Sequence, residues 1–243
     1  MKKIKLFSIL AAFVAALSFT ACNSDSGSSW KELTPTEKAN CYSTLSMYNM
    51  TSPRGEFTYY TTKIGKDGKQ TDVVSDSTIT ADWQISRVGS DTAIVVNIYD
   101  TENGITKALA DYIPDYTNSK SNSGLKTALK EYQGSVTFIC PVYFYQASPI
   151  AFLLNPKKLT YNLQYDGAAH KVDFWFYGST LYSANNYGVY NPSSTTKVKM
   201  SMVFNLYGFK IDAADDDKSE PTRLEVKASN GTTNYVPYYF NVK

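Results

Sequence analysis

Hydrophobic and polar residues alternate with a period of two along much of the chain. Ile79, Ala81, Trp83 and Ile85 interleave with Thr80, Asp82, Gln84 and Ser86, and Leu159, Tyr161, Leu163 and Tyr165 follow the same rule. Val198, Met200, Met202, Phe204 and Leu206 alternate with Lys197, Lys199, Ser201, Val203 and Asn205, and Leu224 and Val226 with Arg223, Glu225 and Lys227. Successive side chains of a strand point to opposite faces, so this pattern predicts antiparallel sheet with one face buried and one wet. Asp67-Gly68, Asp166-Gly167 and Asn230-Gly231 each lie between strand-like runs, where the two residues of a tight hairpin need positive φ. About ten strands are expected.

Helical spacing appears in three places. Thr34-Pro35-Thr36-Glu37 has the form of a capping box with proline at the first helical position. Cys41, Leu45 and Tyr48 then share a face, with Ala39 and Tyr42 beside them, until Ser52-Pro53 stops the run. Shorter helices are expected near Ile105–Ile113 and Leu125–Tyr132, the second with Gly134 as its C-cap. The fold class is mainly β, α+β at the margin: an antiparallel sandwich or open barrel carrying an N-terminal helix and two short ones.

Composition narrows the class. With 43% hydrophobic and 19% charged residues the chain is neither disordered nor a coiled coil. The 24 basic and 22 acidic residues give a formal +2, far from the basic excess of a nucleic-acid binder.

Lys2, Lys3 and Lys5 precede an uncharged run, Leu6 to Phe19, which ends in Phe19-Thr20-Ala21-Cys22. A basic start, an apolar stretch too short to span a bilayer and small residues before a cut describe a secretory signal over residues 1–21. The final four residues resemble the lipobox of bacterial lipoproteins, with Phe19 where that motif prefers Leu. The resemblance implies that Cys22 receives a diacylglycerol, that cleavage precedes it and that its new amino group is acylated, palmitate being the typical chain. Several acyl chains make a lasting anchor. Removing the three lysines turns the formal charge of +2 into −1. Residues 22–33 then form the lipidated cysteine and a flexible, polar tether, and residues 34–243 a single domain.

Two further thiols remain, Cys41 and Cys140. In an oxidising envelope they could form a disulfide, stabilising by about 4–5 kcal/mol on the chain-entropy model. Their apolar neighbours fit two buried free thiols as well.

Catalytic patterns are sparse. The single histidine, His170, follows the Asp166-Gly167 turn without any GxSxG elbow, and reads as an exposed strand-edge residue. Metal ligands do not cluster at short spacing. Asp215, Asp217 and Ser219 match the first ligand positions of an EF-hand, but Glu220 stands where glycine is required and Val226 where glutamate is, so the segment reads as a solvated acidic turn. A hydrolase needs only two facing carboxylates, and seven Glu and fifteen Asp do not reveal which pair would meet. Asp82 and Asp173 read as solvated strand residues. No cofactor and no metal is expected.

The unusual feature is 20 tyrosines. Between Gly178 and Thr196, Tyr182, Tyr187 and Tyr190 interleave with Asn185, Asn186 and Asn191, offering flat apolar faces for sugar rings and amides for hydroxyls. Adaptable protein-binding loops use the same chemistry. Tyr112-Ile113-Pro114-Asp115-Tyr116 is a candidate flanking loop. Tyrosine also fits half-buried sheet surfaces.

Lipobox, tether and tyrosine-rich β domain together resemble the cell-envelope lipoproteins of unknown function of Bacteroides-type bacteria. That resemblance rests on Lys2–Cys22 and the tether and carries no catalytic residues over. It implies a lipid-anchored envelope protein, in the outer membrane, on its periplasmic or surface face. The expected role is a non-enzymatic binding or accessory module for a glycan or a partner protein, with the membrane as partner and nucleic acid excluded. The alternatives are an assembly or pilus subunit, whose run Tyr235 to Val242 would pair with a neighbour's sheet edge, and a carboxylate-dependent glycan hydrolase.

Overall fold

The computed structural model describes residues 32–64, 70–88, 93–113, 115–117, 120–180, 183–195, 199–223, 225–227, 233–235 and 238–242. Within these, side-chain surroundings are described for residues up to 56 and from 79 to 223. The run read as a signal, Cys22, the pairs Asp67-Gly68 and Asn230-Gly231 expected to be turns, Val198 and Leu224 lie outside the described residues. Leu33–Lys243 makes one compact unit. Among the described residues no helix is long and apolar enough to cross a membrane.

The fold is mainly antiparallel β. Its helices are α1 (Pro35–Thr51), α2 (Gly104–Tyr112) and α3 (Ser123–Lys130). The strands up to the second hairpin are β1 (Arg54–Ile64), β2 (Gln70–Val88), β3 (Ala93–Asp100), β4 (Tyr116–Thr117), β5 (Lys120–Ser121), β6 (Val136–Ala147) and β7 (Ile150–Leu154). There follow β8 (Leu159–Tyr165), β9 (Ala168–Phe176), β10 (Tyr187–Tyr190), β11 (Met200–Ile211), β12 (Glu225–Lys227), β13 (Thr233–Tyr235) and β14 (Tyr238–Val242).

Ten strands form one sheet in the order β10-β7-β6-β3-β2-β1-β14-β11-β9-β8. The four-residue β10 pairs with β7 on one side and with the first residues of β11 on the other. Pairings therefore run in a circuit that curls the sheet. Beyond Asn205, β11 changes neighbour and pairs with β9, so the β8–β9 hairpin carries the sheet past the circuit to an edge. The arrangement is one large curled antiparallel sheet.

Alternation sets the inner face as expected. Ile79, Ala81, Trp83 and Ile85 of β2, Leu159, Tyr161 and Leu163 of β8, and Met200, Met202, Phe204 and Leu206 of β11 are all buried. In β7 all five residues are buried, because β6 and β10 flank it within the curl. The Asp166-Gly167 turn joins β8 to β9 with φ of 49° and 79°, the doubly positive geometry of a two-residue hairpin.

The helices pack against the inner face. The capping box of α1 is complete: Thr34 Oγ1 accepts from Glu37 N at 3.2 Å, and Glu37 Oε2 accepts from Thr34 N at 2.8 Å. Cys41 and Leu45 are buried, and Tyr48 meets Tyr190 of β10 at 4.8 Å between ring centroids. The C-terminal end of α1 is tied to one residue of β2: Asn49 Nδ2 donates to Trp83 O at 2.7 Å, while Trp83 Nε1 donates to Ser52 O at 2.9 Å. Helix α2 starts without a side-chain bond from its own N-cap, Asn103. Asp100, fully buried, takes over by accepting from Ile105 N, Thr106 N and Thr106 Oγ1 at 2.7–3.1 Å, an anion set against the positive end of the helix.

Several expectations are corrected. Helix α3 ends at Lys130 with Glu131 as C-cap, and Gly134 lies beyond it, where a Cβ would strike the Tyr132 ring. Cys41 and Cys140 are free buried thiols, not a disulfide: one faces the core from α1 and the other from β6. Burial raises both thiol pKa values, Cys140 far above its ordinary range. The C-terminal run is no open edge either, since β14 pairs with β1 and with β11 and both of its sides are occupied within the chain. Tyr235 is paired with Glu225 in a separate small sheet.

Candidate functional site

The tyrosine–asparagine segment builds the frame. Tyr187 and Tyr190 belong to β10, Tyr190 being buried, and burial raises the pKa of Tyr187. Neighbouring Tyr145 is pushed up to about 12, by burial first and then by Tyr187. Asn186 is fully buried: its Oδ1 accepts from Asn205 N at 2.6 Å and its Nδ2 donates to Tyr177 O. Asn185 Nδ2 donates to Gly178 O at 2.7 Å, and Asn191 Oδ1 accepts from Ser193 N at 3.1 Å. Tyr182 lies outside the described residues. The loop expected over Asn185–Asn191 is therefore corrected to the strand β10, with Asn186 and Tyr190 buried and Asn185, Tyr187 and Asn191 half-buried. The proposed flanking loop also divides: Tyr112 is core, donating its hydroxyl to Tyr207 O at 3.2 Å, while Tyr116 is 68% exposed.

Aromatic rings gather instead on the outer face of β9 and β11. Opposed residues of an antiparallel pair share a face, and register places Thr160, Asp173 and Lys210 in one row and Trp175 opposite Gly208 in the next. Asp173, expected to be solvated, is buried there, accepting from Lys158 Nζ at 2.8 Å and Thr160 Oγ1 at 2.6 Å. Asp82 is exposed, as expected. The segment after β11 turns back at Asp212, with φ of 51°, and rejoins the strand where Phe209 and Thr222 exchange two backbone hydrogen bonds. Gly208 allows this approach, since a Cβ would lie 2.6 Å from Thr222 O.

Between strand face and returning segment lies a cleft of about 370 Å³. Trp175, Phe176, Tyr177, Gly178, Tyr207 and Lys210 line it from the strand side, and Asp217, Lys218, Ser219, Glu220 and Pro221 from the other. Tyr177 and Tyr207 meet edge to face at 4.8 Å. Lys158 and Lys210 bring their ammonium groups to 5.4 and 5.7 Å from the Trp175 centroid, and Arg223 covers a face of Tyr207 at 3.9 Å. The Trp175 indole N–H is buried and has no partner among the described residues.

Three of the ionic groups of the cleft, Lys210, Asp217 and Glu220, have described partners. Lys210 Nζ donates to Asp217 O at 3.0 Å and Oδ2 at 3.3 Å. Glu220 accepts from the Tyr207 hydroxyl and lies 3.6 Å from Arg223. The backbone and side chain of Ser219, then Lys210, hold the Asp217 pKa below its ordinary value. Asp215, Asp217 and Ser219 form a turn bonded to the strand face and not an ion cradle. Among the described residues no three His, Cys, Asp or Glu come together as metal ligands.

His170 is half-buried, not exposed, near the start of β9, opposite Leu163 of β8 and before β11 joins the strand at Val172. It stacks on Tyr165 at 4.1 Å and shares a 2.7 Å hydrogen bond with Asp212. Neither His170 nor Asp212 lines the cleft.

Sequence reasoning missed the cleft because its residues come from two strands and a return segment. A signal was present in the run Lys171 to Tyr177. Asp173, Trp175 and Tyr177 alternate with Val172, Phe174 and Phe176, so aromatic side chains occupy both faces, unlike an ordinary wet face.

Fold and cleft define a mainly antiparallel β domain with an aromatic cleft on its outer face. The chain belongs to a family described as a domain of unknown function, DUF4840, whose model matches residues 53–211, from Pro53 to the end of β11. No curated protein and no solved structure matches it.

Proposed function

We propose that this is a lipid-anchored cell-envelope protein of the Bacteroides type, fixed to the outer membrane through Cys22, and that it binds a neutral glycan without transforming it. The observation that carries the binding reading is the cleft walled by Trp175, Tyr177 and Tyr207, with polar groups along its rim. Electron-rich ring faces attract the partly positive C–H surfaces of a pyranose, and the rim supplies donors and acceptors for hydroxyls. Two lysines and two carboxylates line the cleft, so its formal charge is zero, which suits a neutral ligand better than a strongly charged one.

The test is calorimetric titration with neutral and acidic polysaccharides. Tyr177→Ala and Trp175→Ala should each weaken neutral-glycan binding by about tenfold or more while the unfolding midpoint stays near wild type. Unchanged affinity in both variants would sink the assignment. For the anchor, Cys22→Ser should move the protein from the membrane fraction to the soluble one.

A further inference from the structure

The returning segment carries acidic residues at 212, 215, 216, 217 and 220, and all but Asp216 have a described contact outside it. Asp212 meets His170 at 2.7 Å and accepts from Lys171 N at 2.9 Å. Asp215 pairs with Lys171 Nζ at 2.6 Å, Asp217 with Lys210, and Glu220 with Tyr207 and Arg223. The two ends are fixed differently from the middle. Asp212 N donates to Lys171 O at 2.8 Å, and Phe209 and Thr222 exchange their backbone bonds at 2.8 and 2.9 Å. Between these ends, every described hydrogen bond from the segment to the strands involves a side chain on at least one partner. Its one described internal backbone bond, Asp217 N to Ala214 O, closes a local turn and does not tie it down. Ala214 to Glu220 is exposed throughout.

We propose that Ala213–Glu220 is an ionically latched strap that gates the cleft, clamped at both ends and free to lift in the middle when its ion pairs are screened. This rests on reading the cleft as the ligand site, because the strap forms its outer wall. Exposed ion pairs weaken individually with salt, and the screening length falls from about 10 Å at 0.1 M to about 3 Å at 1 M. A neutral ligand has no charge of its own to screen, so a salt dependence of its exchange would report the strap.

The experiment has a ligand-free arm and a ligand arm. In the first, acrylamide quenching of Trp175, isolated by difference against Trp175→Phe, is followed from about 0.1 M to about 1 M salt. The quenching constant should rise about twofold or more, and Asp215→Asn should show the raised value already at low salt. Asp215 and Lys171 do not line the cleft, so this variant removes a latch contact without touching the ligand surface, and Asp215→Glu should stay near wild type. In the second arm, release of a bound neutral polysaccharide should quicken about two- to tenfold with salt and in Asp215→Asn. Quenching that ignores both salt and substitution overturns the latch, whether or not any glycan binds. Failure of every neutral glycan to bind would overturn the ligand assignment and leave the quenching arm decisive for the strap.

Discussion

Asn186 Oδ1 accepts the backbone N–H of Asn205 at 2.6 Å, at the point where β11 passes from β10 to β9. A strand that changes neighbour leaves ladder groups without a partner, and an unpaired buried polar group costs about 1–3 kcal/mol. One buried amide serves both sides of the gap, accepting from Asn205 and donating to Tyr177 O. Asn186→Ala should therefore destabilise the domain by about 2–5 kcal/mol in urea unfolding. Asn186→Asp, which would set a carboxylate against Tyr177 O in a fully buried site, should be at least as destabilising. Wild-type stability in the alanine variant would refute a structural role for this side chain.

Much of the sheet was legible because burial and period agree. Trp83, Tyr161 and Phe204 each sit on the face their alternation assigns, and Thr34 and Glu37 close the box their spacing announces. The role of Asn186 was not legible. Its neighbours Tyr187 and Tyr190 read equally well as an exposed recognition loop or a strand, and only the pairing of β10 with two partners decides between them. The cleft was illegible for a similar reason: Trp175, Tyr207 and Asp217 meet through strand register and a chain reversal, neither of which is local.

Cys41 and Cys140 set a second expectation. Because both are free and buried, a Cys22→Ser chain should show no thiol reactive toward a colorimetric reagent when folded and two when unfolded. Burial and the neighbouring Glu37 carboxylate oppose thiolate formation at Cys41, and burial alone does so at Cys140. Reductant should leave the unfolding midpoint unchanged. A midpoint that falls on reduction would point to a disulfide instead.

Gly208 fixes the far end of the strap. In Gly208→Ala the new Cβ would lie 2.6 Å from Thr222 O and 2.8 Å from Pro221 Cβ, so backbone must move and not merely a side-chain tip. A stability loss of about 1–3 kcal/mol is expected. Hydrogen exchange should accelerate at Phe209 and Thr222, whose mutual bonds would open, with little change in β2 or β3. Unaltered protection at both amides would show that the return segment tolerates the methyl group.

Acid should weaken the carboxylate contacts that hold the return segment, that of Asp212 among them. The hydrogen bond from His170, with the Lys171 amide adding to it, lowers the Asp212 pKa below the ordinary 3.8. Asp215 is lowered by Lys171, and Asp217 by Ser219 and Lys210. Around His170 the facing groups are Asp212, the stacked Tyr165 and, beside them, Asp166 at the hairpin turn; Tyr165 itself is pushed up to about 12 by burial and then by Asp212 and Asp166. A carboxylate whose folded pKa is depressed contributes stability that is fully present above its unfolded value and is lost as pH falls through the folded one. Asp212→Asn should thus be less stable than wild type at neutral pH, and the two unfolding curves should converge as pH drops below 3.8. A gap that stays constant across that range would refute a contribution from the charge of Asp212.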